Sequence, residues 1–251
     1  MPESHPHPAQ GPSGGAGVFA TTQWSLVLRA GGDAPATSSE ALEELCRRYW
    51  YPLYAFARRS GLSVHDAEDS TQGFFAHLVE KSVIARADPA RGRFRSFLLS
   101  SFRNFMGQAR LRASARKRGG GSMIVSFDDP ETENRYQRES ASQQTAEQLF
   151  ERRWAVTLVV RVLRQLETEQ QAAGRGTQFT AMKPYLAADR GEATYASLAS
   201  QLGCSPGAAR VAVHRLRRSY HQLFQTEVMQ TVGSEEDFKA EVAHLLAVLS
   251  S

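Results

Sequence analysis

Between residues 94 and 109, Phe94, Phe97, Leu98, Ser101, Phe102, Phe105 and Ala109 recur at three- and four-residue steps. An α-helix turns once in about 3.6 residues, so such steps gather these side chains on one face. The same rhythm returns in Leu42, Leu45, Cys46, Tyr49, Leu53 and Phe56, and again in Ala67, Thr71, Phe74, Phe75 and Leu78. Trp154, Leu158, Val162 and Leu166 form another stripe, and Phe238, Val242, Leu245, Leu246 and Leu249 a last one. Nowhere does the chain alternate apolar and polar residues with the period of two that a half-buried strand requires. The chain is predicted to be all-α.

Punctuation divides these stripes. Residues 1–18 carry four of the ten prolines and several glycines and read as a disordered tail. A short helix is expected near 19–29, with Thr21 and Thr22 as its start. The first strong helix begins around Ser39, and Pro52 inside it predicts a kink or local break. Gly61 ends that helix and Ser63 caps the next; Asp88-Pro89 marks a loop over 82–92. Arg116-Lys-Arg-Gly-Gly-Gly121 closes the third helix with cations and glycines, as the helix dipole and C-cap geometry favour. Residues 119–146, with a turn at Asp128-Asp129-Pro130 and a polar run near 139–147, read as a linker. A second helical unit spans 147–228, broken at Gly174-Arg175-Gly176, with a short helix over 179–186. Residues 229–251 form a C-terminal extension with an amphipathic helix. A chain of 251 residues has room for two such small helical domains, 19–118 and 147–228, joined by a flexible linker.

Charge sharpens this division. The net charge is only +4, yet residues 91–118 hold nine Arg or Lys and no acid. Residues 206–226 hold four Arg, two His and no acid, whereas 128–151 hold seven acids against two arginines. Two basic blocks separated by an acidic one suggest two nucleic-acid-facing surfaces. The two cysteines, Cys46 and Cys204, lie in helical patterns without metal-ligand spacing, as in a reduced cytosolic protein. No apolar run is long enough for a membrane span, and the N-terminus lacks the basic-then-apolar layout of a signal peptide. A cytoplasmic location is expected.

The segment 195–221 carries a helix-turn-helix pattern. Tyr195, Leu198, Ala199 and Leu202 make the inner face of a first helix; Ala199 is small where helices cross, and Gly203 permits a sharp turn. Ser205 caps the second helix and Pro206 takes its first position. Ala209, Val213, Leu216 and Tyr220 point inward, while Arg210, His214, Arg217 and His221 fall opposite, with Arg215 and Arg218 beside them. Early side chains of such a helix can reach base edges and later ones phosphates. Arg210 and His214 are candidates for base-edge or near-base contacts, Val211 for a thymine methyl, and Arg217 and Arg218 for phosphates, with Arg215 also in the DNA-binding set. An ordinary helical hairpin with a solvated basic face is the alternative.

Upstream, Asp66-Ala67-Glu68-Asp69-Ser70-Thr71-Gln72-Gly73-Phe74-Phe75 opens with three acids. Positions i, i+2 and i+3 splay around a helix and do not converge on a metal. Carboxylates near a helix N-terminus are also favoured by the dipole. No metal, cofactor or catalytic residue is expected.

Together and in this order, the two segments resemble a bacterial RNA polymerase sigma factor of the extracytoplasmic-function group. The likeness covers about residues 20–117 and 147–228. It implies that Asp66, Asp69, Gln72 and Phe75 lie against the coiled coil of the polymerase's largest subunit. Ser70 and Gly73 stand where an aliphatic residue and a glutamate are usual. The helix from Phe94 then matches the element that binds and opens the −10 promoter region, through its Phe-Arg-x-aromatic-Leu start and Arg103-Asn104. The resemblance points to the loop over 87–95 with Arg93 and Arg95, the polar stripe Arg103, Asn104 and Arg110, and phosphate contacts from Arg112, Arg116 and Lys117. Phe97, Phe102 and Phe105 keep core periodicity and are expected to pack.

On this likeness residues 19–118 bind core polymerase and the −10 element. Residues 147–228 read the −35 duplex and dock the β-subunit flap, and the acidic linker threads toward the polymerase channel. The expected partners are core RNA polymerase, promoter DNA and a regulatory partner such as an anti-sigma protein, around a free monomer that is not an enzyme. Two rivals stay open: a stand-alone helix-turn-helix regulator, and a metal-dependent enzyme acting on nucleic acid. The tail helix is expected to pack on the second domain or on a regulatory partner.

Overall fold

A computed structural model describes residues 35–80, 83–84, 93–115, 131–139, 143–187, 192–232 and 235–250. Among them every regular element is helical, and the protein is all-α. In chain order these are α1 (Pro35–Arg59), α2 (Val64–Glu80), α3 (Phe94–Ala115), α4 (Glu131–Glu139), α5 (Ala146–Ala172), α6 (Gly176–Met182), a 3-10 turn (Lys183–Tyr185), α7 (Glu192–Leu202), α8 (Pro206–Met229) and α9 (Glu235–Ser250). The segment 19–29 and the loop over 85–92 lie outside the described residues.

The caps follow local chemistry. Ser63 Oγ accepts from the Asp66 N–H at 3.1 Å and donates to its carboxylate at 2.7 Å, starting α2. Thr145 and Gln148 form a reciprocal capping box at the start of α5. Gly174, at φ +71°, turns the chain from α5 into α6.

Two buried clusters follow from the stripes. The first gathers Tyr49, Leu53, Phe56, Ala67, Phe74, Leu78, Phe94, Leu98 and Phe102 from α1, α2 and α3 with Phe150, Trp154, Leu158 and Val162 of α5. Val228 at the end of α8 and Leu245 of α9 join it. The second holds Leu166, Phe179, Met182, Tyr185, Tyr195, Leu198, Ala199, Ala209, Val213 and Leu216. The division between the clusters therefore runs across α5 and α8, each of which contributes to both. Arg161 of α5 donates to Glu227 of α8 at 2.7 Å beside this seam.

Two segments gain detail from the structure. Helix α1 continues through Pro52 without a break. The missing N–H removes one hydrogen bond, but Leu53, Tyr54, Ala55, Phe56 and Ala57 are all buried, and their packing outweighs it. The segment expected as a linker contains α4. Its composition is polar, yet Thr132, Glu133 and Tyr136 fall on one helical face against α1. Arg58 grips Glu133 through Nε at 3.1 Å and Nη2 at 2.8 Å, Tyr54 donates to the same carboxylate, and Arg58 lies 5.1 Å from the Tyr136 ring. Arg135 sits 3.9 Å over the Tyr51 ring. Burial pushes the Glu133 carboxyl up, but the hydrogen bonds from Arg58 and Tyr54 outweigh it and hold it below the usual range.

Candidate nucleic-acid interface

Helices α7 and α8 form the helix-turn-helix. Tyr195, Leu198 and Ala199 are buried in α7, and Ala209, Val213 and Leu216 face them from α8. Gly203 turns the chain at φ +64°, where an L side chain is strained. Ser205 is the N-cap of α8, its hydroxyl accepting from the Ala208 N–H at 3.2 Å, and Pro206 follows it. The outward face carries exposed Arg210, His214, Arg215, Arg218 and His221, with Val211 half in solvent at 50 %. The Arg210 guanidinium lies 5.4 Å from the Tyr195 ring, which steadies its stem at the start of the helix.

Arg217 differs from its neighbours. Its Nε and Nη2 donate to the Tyr185 carbonyl at 3.0 and 2.8 Å, so it ties α8 to the 3-10 turn. It lies four residues after buried Val213, on the flank of the inner stripe, and that spacing marks it as a half-buried position.

The second basic block behaves in two ways. Along α3, Asn104 and Arg110 are exposed, and Arg110 donates to the Ser60 carbonyl at 3.3 Å. Arg103 is exposed and pairs with Glu147, a surface pair of small net worth. The side chain of Arg112, and Arg116 and Lys117 entirely, lie outside the described residues. At the start of α3 the arginines turn inward. Arg95, only 2 % exposed, donates to Glu151 at 2.7 Å and to both oxygens of Glu241, and its guanidinium covers Trp154 at 4.2 Å. Arg93 reaches the same Glu241 carboxylate at 2.8 Å. His244 Nε2 lies 3.0 Å from Glu151. In this conformation Arg95 faces protein rather than solvent.

Of the α2 set, Asp66 belongs to the cap and is exposed, as is Asp69, whose partner at 3.5 Å is His65. Gln72 is half-buried. Phe75 is 6 % exposed and stacks on Trp50, with ring centroids 6.1 Å apart. Phe102 is fully buried, while Phe97 and Phe105 are half-buried against the same core. The α2 surface is thus carboxylate and amide over an aromatic floor.

Glu241, Glu151 and His244 were not singled out by motif. Glu241 had a signal nonetheless: it lies three residues after Phe238 and four before Leu245, on the inner face of α9. A carboxylate at such a position needs a buried cation. Among the described residues no three His, Cys, Asp or Glu side chains gather as a metal site requires, and no helix is long and apolar enough to cross a membrane. No protein-family model, curated protein or solved structure matches the chain.

Proposed function

We propose that this chain is a cytoplasmic promoter-specificity subunit that joins core RNA polymerase and directs it to particular promoters, resembling the extracytoplasmic-function sigma factors. The observation that carries the reading is the outward face of α8, where Arg210, His214, Arg215 and Arg218 stand in solvent around Val211 on a capped helix. The first turns of α8 enter the major groove of the −35 duplex. There Arg210 and His214 meet base edges, Val211 meets a methyl group, and Arg215 and Arg218 neutralise phosphates. Arg217 is a positioning residue, since its guanidinium holds the Tyr185 carbonyl.

The other half, built on α1, α2 and α3, holds the polymerase and the opened −10 strand. Exposed Asp66 and Asp69, with Gln72, supply acceptors and an amide to the largest subunit, and Phe75 supports them from beneath. Arg103, Asn104 and Arg110 follow the strand's backbone. The two halves act on one promoter, joined through the segment that carries α4. Transcription with sigma-free core polymerase on a fragmented genomic template tests this. Discrete new transcripts are expected, lost with Asp69→Ala or Gln72→Ala and lost separately with Arg210→Ala. Sequence-specific duplex binding without any transcript would replace this reading with a stand-alone regulator.

A further inference from the structure

The buried charge cluster at the start of α3 has a composition that a core does not need. Glu241 is wholly buried, and it receives Arg93 and Arg95 from the segment facing the opened strand under the function just proposed. A guanidinium fork binds carboxylate and phosphate with the same geometry, so Glu241 occupies the donors that a strand's phosphate would take. The apolar seam of the helix that brings it is buried in full at one point only. Leu245 is the one described apolar residue of α9 that is fully buried; Phe238, Val242, Val248 and Leu249 are half-buried, and Leu246 is 61 % exposed. Arg95 keeps Glu151 and Trp154 as partners if Glu241 leaves, whereas Arg93, already a third exposed, turns free.

We propose that α9 is an autoinhibitory lid. Its Glu241 carboxylate occupies Arg93 and Arg95, and a nucleic-acid strand binds at the start of α3 by displacing it. This rests on the reading that α3 faces single-stranded promoter DNA. The apparent affinity for the strand is then reduced by the fraction of molecules in which the lid stands open.

The test uses the full chain and a short fluorescein-labelled single strand of DNA. Glu241→Gln removes the charge and Leu245→Ala loosens the apolar seam while leaving every charge in place, so a failure of one to fold leaves the other decisive. Each is expected to tighten strand binding about ten-fold, and adding Arg93→Ala cancels both gains. In the wild-type protein, the strand is expected to raise amide exchange within residues 235–250. A folded variant that binds no more tightly, or exchange in 235–250 that the strand leaves unchanged, overturns the lid. Transcription with core polymerase separates the two ideas. Tighter strand binding without any transcript leaves the lid standing and removes the promoter reading.

Discussion

Arg217 and Arg210 lie seven residues apart on one helix and do different work. Arg210→Ala removes an exposed cation and is expected to weaken duplex binding by about 1–3 kcal/mol while leaving the melting temperature unchanged. Arg217→Ala unties the Tyr185 carbonyl and is expected to lower stability by about 1.5–3 kcal/mol, visible in a denaturant titration without DNA. The two cysteines separate as cleanly. Burial pushes the Cys46 thiol up to about 12, whereas Cys204 is exposed beside the turn. A thiol reagent should therefore titrate one group in the folded protein and the second only on unfolding. Glu133 supplies a pH dependence. Its folded carboxyl lies below its ordinary value near 4.5, so its stabilisation is present above that value. It is lost as pH falls through the depressed one. The stability difference between wild type and Glu133→Gln should shrink on acidification below about pH 4.5, as thermal melts across pH would show.

Helices were legible where a stripe of large apolar residues had to be buried, and less so where the buried face was polar. The stripes of α2 and α5 and the inner faces of α7 and α8 stand as the 3.6 period gave them, and so do the Ser63 and Ser205 caps. Helix α4 escaped because its docking face is Thr132, Glu133 and Tyr136, and local composition carries no record of the partner Arg58 on α1. At Pro52 the helix runs on without a break for the related reason that tertiary burial outweighs one lost hydrogen bond. At the candidate site, the exposed cations of α8 could be read from spacing. The inward turn of Arg95 depends on partners distant in the chain, Glu151 at 56 residues and Glu241 at 146. For α8 itself, Ser205→Ala should cost about 1 kcal/mol, measured as a lower urea midpoint at unchanged slope.

At the scale of the molecule, the two buried clusters share α5 and α8, so neither half can lose its packing without disturbing a helix of the other. Leu158→Ala, in the first cluster, is expected to cost about 2–5 kcal/mol. Because α5 continues into the second cluster, helical content and tryptophan fluorescence should fall together in one transition. Separate transitions would show that the halves melt independently. The passage of α5 from one cluster to the other has a further geometric result. It acts as a ruler: α3 meets one end through Arg95 on Glu151 and Trp154, and the α7–α8 pair packs near the other, so under the proposed function the interval between the two DNA-facing surfaces is set by one continuous helix. Each base pair inserted between two promoter elements rotates one against the other by roughly 35°. A reader built on one such helix tolerates few such steps, and the length of DNA between its two elements becomes as much a part of its specificity as the bases themselves.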